Sequence, residues 1–172
     1  MWNMEAMSVA LAEFNSAPDE QARAQLRSCL NVARWIERLL EARPFASVDA
    51  AVESARHAAH PLTPGEIDQA LADHPRIGER TEAESAEAEF SRREQAGLGE
   101  ADASVEQRLA AGNRAYEQRF GRVFLIRAAG RSHEEILAEL ERRLQLDPAE
   151  ELEIAGEQLE QIAALRLEGL LR

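Results

Sequence analysis

Four imidazoles are available to this chain, at His57, His60, His74 and His133. An imidazole with its ordinary pKa near ~6.5 both accepts and donates protons near neutrality, so each is a candidate acid/base. His57 and His60 lie one helical turn apart and could reach one ion. The HExxH pattern is absent, however, no third ligand is evident, and Pro61 breaks the helix beside them, so no metal site is expected. His133 follows Ser132 in the first turn of a capped helix and reads as a surface residue. His74 differs, because it opens His74-Pro75-Arg76-Ile77-Gly78, where the proline fixes backbone direction and the glycine lets the loop pack tightly. Such a side chain is held in place, as proton transfer requires. On these residues alone a histidine that merely caps the last carbonyls of its helix is the favoured reading.

Ser91-Arg92-Arg93-Glu94-Gln95-Ala96-Gly97-Leu98 also has two readings. Ser91 and Glu94 fit a helix capping box. They also fit, with Gln95, a cluster of donors and acceptors suited to a polar ring. Cys29 is the only cysteine, so no intramolecular disulfide or cysteine metal cage can form, and a reducing cytoplasm is the expected location. Its neighbours Leu26 and Leu30 place it in a core as a buried structural thiol.

The elements that must carry these residues are helices. Segments are expected near 4–14, 18–29, 31–42 and 47–59, the last capped by Ser47 and ended by Pro61. Thr63-Pro64-Gly65-Glu66 combines an N-cap threonine, a first-turn proline and a glutamate three residues on. That helix must end before Pro75, which leaves His74 at its exit. Residues 82–98 favour helix with an interruption near Phe90-Ser91, and 103–119 follow, stopped by Gly121. Ser132-His133-Glu134-Glu135 and Asp147-Pro148-Ala149-Glu150 open two more helices, near 133–145 and 148–171. Val123-Phe124-Leu125-Ile126 alone has strand propensity, and one short run cannot make a sheet, so it reads as buried extended chain. The expected fold is all-α: one bundle-like domain over 1–172, of about eight helices, with a short extended apolar segment near 123–128.

The chain is 172 residues long, 45% hydrophobic and 30% charged, which suits one globular core. With 20 Lys+Arg against 32 Asp+Glu, its net charge of -12 repels phosphate backbones and anionic lipids, so no nucleic acid or membrane partner is expected. Met1-Trp2-Asn3-Met4-Glu5 lacks the basic and apolar stretches of a signal peptide, and no window approaches the ~18 apolar residues of a membrane span. Leu170-Leu171-Arg172 is not a peroxisomal address.

Five motifs occur in order: His74-Pro75-Arg76-Ile77-Gly78; Ser91-x-x-Glu94-Gln95-x-Gly97-Leu98; Asn113-x-x-Tyr116-x-x-Arg119-Phe120-Gly121; Phe124-x-Ile126-Arg127; and Ile162-x-x-x-Arg166-Leu167. Together they resemble the 2-oxo-4-hydroxy-4-carboxy-5-ureidoimidazoline (OHCU) decarboxylase family, over roughly residues 8–168. Two departures are Gln145, where the family often has Asn, and Arg122 in Phe120-Gly121-Arg122, where it has a second Phe.

The resemblance implies decarboxylation of the last labile intermediate of urate breakdown to (S)-allantoin, without a cofactor. It makes His74 the acid/base, Glu94 the residue holding the reactive tautomer, and Arg166 a clamp on a carboxylate or carbonyl oxygen. Pro75 becomes a wall of the site, Ser91 and Gln95 polar contacts, and Phe124, Leu125, Ile126, Arg127 and Ala128 donors of backbone groups. Arg92 and Arg93 adjoin the motif, with side chains that suit either substrate or solvent, and for Arg166 a surface pair with Glu168 stays open. A homodimer is also implied. Outside the resemblance, the composition equally fits a noncatalytic acidic helical interaction module.

Overall fold

A computed structural model describes residues 7–72, 86–96, 98, 99 and 102–172. Nine α-helices and no strands occur among them, in the order α1 (Val9–Ser16), α2 (Asp19–Cys29), α3 (Ala33–Ala42), α4 (Val48–His57), α5 (Pro64–Leu71), α6 (Ala86–Ala96), α7 (Ala103–Phe120), α8 (His133–Arg143) and α9 (Pro148–Leu171). The chain is all-α, and each of the nine described helices falls on a segment where the sequence leads us to expect one. They fall into two compact units, one comprising the chain up to Leu62 together with Glu160–Arg172, the other Thr63–Leu159. The ranges divide α9 between them.

In the first unit, the starts of α1 and α4 follow the capping chemistry of the sequence. The Ser8 and Ser47 side chains accept from the N–H groups of Leu11 and Ala50, each satisfying a donor that the first helical turn leaves open. The first helix therefore starts later than residue 4 and runs through Ser16. α3 buries Trp35, Ile36, Leu39 and Leu40 on one stripe, and the Trp35 indole N–H donates to the Ala55 carbonyl at 2.8 Å. Arg43 bonds the Phe14 and Ala17 carbonyls at 2.7 and 2.9 Å, tying the end of α1 to the segment that follows α3.

In the second unit, Thr63 and Glu66 form the complete reciprocal capping box. Ser132 accepts from the Glu135 N–H at 3.1 Å. α7 ends at Gly121, whose φ of 72° is the left-handed conformation that a residue without Cβ adopts at least cost. Gly112 lets α7 approach α8 closely: a Cβ there would stand 2.6 Å from Leu140 Cδ2. Val105, Leu109 and Tyr116 of α7 then pack with Ile136, Leu137 and Leu140 of α8.

One local expectation is corrected. α6 runs unbroken from Ala86 to Ala96, through Phe90 and Ser91. Ser91 lies five residues inside the helix and cannot be its N-cap, which removes the capping-box reading of Ser91 and Glu94. A serine weakens a helix interior only slightly, and the Arg93–Glu89 pair, at 2.7 Å and four residues apart, bridges the position.

Candidate active site

Of the segments expected to form the site, the run that follows Gly121 is the most fully described. Residues 123–128 are neither helix nor strand, with Phe124, Leu125, Ile126 and Ala128 buried and Arg127 half-buried, as the apolar run led us to expect. A buried stretch without a helix or sheet ladder must find other partners for its backbone. Two side chains supply them. Arg143 at the end of α8 donates through Nη1 to the Leu125 carbonyl at 2.8 Å, and Gln158 on α9 accepts from the Arg127 N–H at 2.8 Å.

Arg143 is fully buried, and its charge is balanced by the equally buried Glu151. Nε lies 3.0 and 2.9 Å from the two carboxylate oxygens, Nη2 also donates to Oε1, and the Tyr116 hydroxyl donates to Oε1 at 2.5 Å. The guanidinium carbon sits 4.7 Å from the Phe124 ring centroid, and Tyr116 meets the same ring edge-on at 5.3 Å. Burial first, and the bond to Glu151 second, push the Tyr116 hydroxyl well above the usual phenol range, so it is a fixed donor at any working pH. Asn113 and Tyr116 of the third motif are thus both buried, and Tyr116 holds the 123–128 run. Arg143 and Glu151 carry this arrangement, and sequence reasoning gave them no role.

Of the expected substrate-contacting residues on α6, Glu94 and Gln95 are half-buried while Arg92 and Arg93 are exposed. Arg93 bonds Glu89 across the helix surface. Ser91 is placed by its backbone on the same helix. His74 and Pro75 lie outside the described residues. In the first unit, Arg166 is 3% exposed on the second half of α9, beside buried Ile162, Ala163 and Leu167. Glu168, one surface acid open to it from the sequence, bonds Arg172 at 2.9 and 2.7 Å. Of the 57/60 pair, His57 Nε2 is 3.0 Å from Glu53, and His60 Nδ1 is 2.9 Å from the mostly buried Glu160. His133 is half-buried rather than on the open surface.

Across the chain, residues 15–168 match the family model described as OHCU decarboxylase. The chain belongs to the OHCU decarboxylase family. A 2-oxo-4-hydroxy-4-carboxy-5-ureidoimidazoline decarboxylase from Haloferax volcanii is 33% identical over 161 residues, covering 92% of this chain and 94% of the relative. The uric acid degradation bifunctional protein TTL of Arabidopsis thaliana is 37% identical over 103 residues, 58% of this chain and 32% of that longer protein. Among solved structures, an OHCU decarboxylase crystallised in the presence of (S)-allantoin is similar with a TM-score of 0.70 and 28% identity, covering 90% of this chain and 99% of the other. An (S)-allantoin synthase shares the fold, with a TM-score of 0.67 at 17% identity. The OHCU decarboxylase family accounts for the order of the five motifs, and the fold accounts for why so apolar a run as 123–128 stays out of a helix: its backbone is held from α8 and α9.

Proposed function

We infer that this chain is a decarboxylase that converts OHCU to allantoin in urate degradation. The observation that carries this is the family match across residues 15–168, together with a relative of that name aligned over 92% of the chain. The rest of the reading assigns roles to individual residues.

Loss of carbon dioxide breaks the bond to the substrate's carboxylate carbon and leaves an electron pair behind, which the imidazoline ring can delocalise. The chain's residues then need only orient the substrate, exclude water and move a proton, and no cofactor is required. His74 is the acid/base that takes the ring hydroxyl proton or delivers a proton to the carbanionic carbon, and acting from one face it sets the (S) hand. Glu94 accepts from ring or ureido N–H groups and holds the reactive tautomer, with Ser91 and Gln95 as neutral contacts and Arg92 and Arg93 flanking them. Pro75 is the wall beside the imidazole. Backbone groups of Phe124–Ala128 meet the ureido and ring polar atoms. The buried guanidinium of Arg166 offers two parallel N–H donors to a carboxylate or carbonyl oxygen, a fit supported by its seclusion from solvent.

The protein works as a homodimer in the cytoplasm, and its whole length acts as one functional domain. Cys29, buried and 3.5 Å from the Gln25 carbonyl, suits a reducing compartment. Among the described residues no helix is long and apolar enough to cross a membrane.

Circular dichroism of fresh OHCU, generated in situ from urate, tests the activity. With the protein present, (S)-allantoin is expected to appear faster than in its absence. A signal that follows only the spontaneous, racemic decay would overturn the assignment.

A further inference from the structure

Ile126 is held between two pinned peptide planes. The Leu125–Ile126 peptide has its carbonyl on Arg143, and the Ile126–Arg127 peptide has its N–H on Gln158. Neither bond is among the cis peptides of the chain. In a planar trans peptide the C=O and N–H point in opposite directions. The Ile126 N–H is therefore turned away from Arg143, and the Ile126 carbonyl away from Gln158. Ile126 is 2% exposed, and neither of its backbone groups is taken by another described residue. A buried donor and acceptor on one residue, both aimed off their anchors, match the adjacent C=O and N–H of a ureido or lactam group.

We propose that Gln158 and Arg143 are positioning residues for OHCU binding: through the peptides on either side of Ile126 they aim its N–H and C=O at an amide edge of the substrate. This deepens the decarboxylase reading and rests on it. The two anchors differ in what else they do. Arg143 also neutralises Glu151, so its loss unbalances a buried charge, whereas among the described residues the Gln158 amide oxygen accepts only from the Arg127 N–H. Gln158 therefore isolates the positioning effect.

The test compares wild type with Gln158→Leu, which keeps the bulk and removes the acceptor, and Gln158→Glu, which keeps an acceptor. Wild-type turnover of OHCU is measured first, and its absence would count against the decarboxylase reading rather than against positioning. Given turnover, Gln158→Leu is expected to raise KM about tenfold or more, with kcat changed far less, because misplacing a binding group by about 1 Å costs up to ~10²-fold. Gln158→Glu is expected to return KM to within about threefold of wild type, as an intact acceptor restores the bond. Amide hydrogen exchange at Arg127 should quicken in the leucine variant and not in the glutamate one. If the leucine variant does not fold, Gln158→Asn, with its acceptor one methylene short, carries the same expectation. A soluble leucine or asparagine variant with wild-type KM would overturn the proposal, as would a glutamate variant no better than leucine.

Discussion

A histidine is useful in catalysis only if it is held, and His74 was picked out by the Pro75 and Gly78 that follow it. Its expected role leads to a direct experiment. His74→Asn keeps a polar side chain of similar size but cannot exchange a proton, so kcat should fall by about 10²–10⁴ with the thermal transition little changed. A folded variant with full turnover would remove the imidazole from the reaction. Arg166 is the complementary case, a cation whose seclusion is visible and whose chemistry is inferred. Arg166→Lys keeps the charge and loses the planar fork, so kcat/KM should fall about tenfold, and unchanged kinetics would return the residue to a packing role. The sequence singles out these two side chains through ordered motifs, because spacing survives where three-dimensional contact is invisible. It made Arg143 and Glu151 only half legible. Each falls on the apolar stripe of its helix, Arg143 after Ile136 and Leu140, Glu151 before Ala155 and Leu159, and opposite charges on two core stripes are the signal of a buried pair. Both positions lie within a turn of a helix end, where charge is ordinary, so charge alone does not mark them.

Helix caps, turn glycines and prolines act over a few residues, and that is why the element boundaries were close: Thr63, Ser132 and Gly121 each do what their type dictates. At Ser91 the local preference against helix is weak, and the helical continuity on both sides prevails. Between elements the decisive contact is the Arg143–Glu151 pair, which joins the end of α8 to the start of α9 and carries the 123–128 run with it. Glu151→Leu should destabilise the protein by about 3–5 kcal/mol in urea unfolding, since it strands a buried guanidinium, whereas adding Arg143→Leu should recover part of that loss. A strictly additive double variant would mean that the two side chains do not interact. On the surface of α8 the effect is smaller and set by pH. The bond from Arg142, at 2.6 and 3.0 Å, holds the Glu139 carboxyl below its usual range, with burial opposing and the nearby charges assisting. A carboxyl depressed in the folded state stabilises above its unfolded pKa, near ~4.3, and loses that contribution as pH falls through the folded value. The urea midpoints of wild type and Glu139→Gln should therefore differ at pH 7 and converge towards pH 3, and a gap independent of pH would exclude the pair as its source.

At the scale of the whole molecule, charge governs what the surface tolerates. Each chain carries a formal charge of -12, so two copies repel until salt screens them, over a Debye length of about 10 Å at 0.1 M. A homodimer must then be held by close apolar packing that outweighs a long-range repulsion, and the two contributions respond differently to ionic strength. Contact packing is barely altered by moderate salt, whereas the repulsion weakens as the Debye length shortens from about 30 Å at 0.01 M. Sedimentation equilibrium should accordingly give twice the 19.1 kDa chain mass at 0.15 M salt, with the dimer loosening at 0.01 M. A mass of one chain at both ionic strengths would make the enzyme a monomer. A dimer that loosens as salt is added would mean that attractive charge pairs, not apolar packing, hold the two copies together.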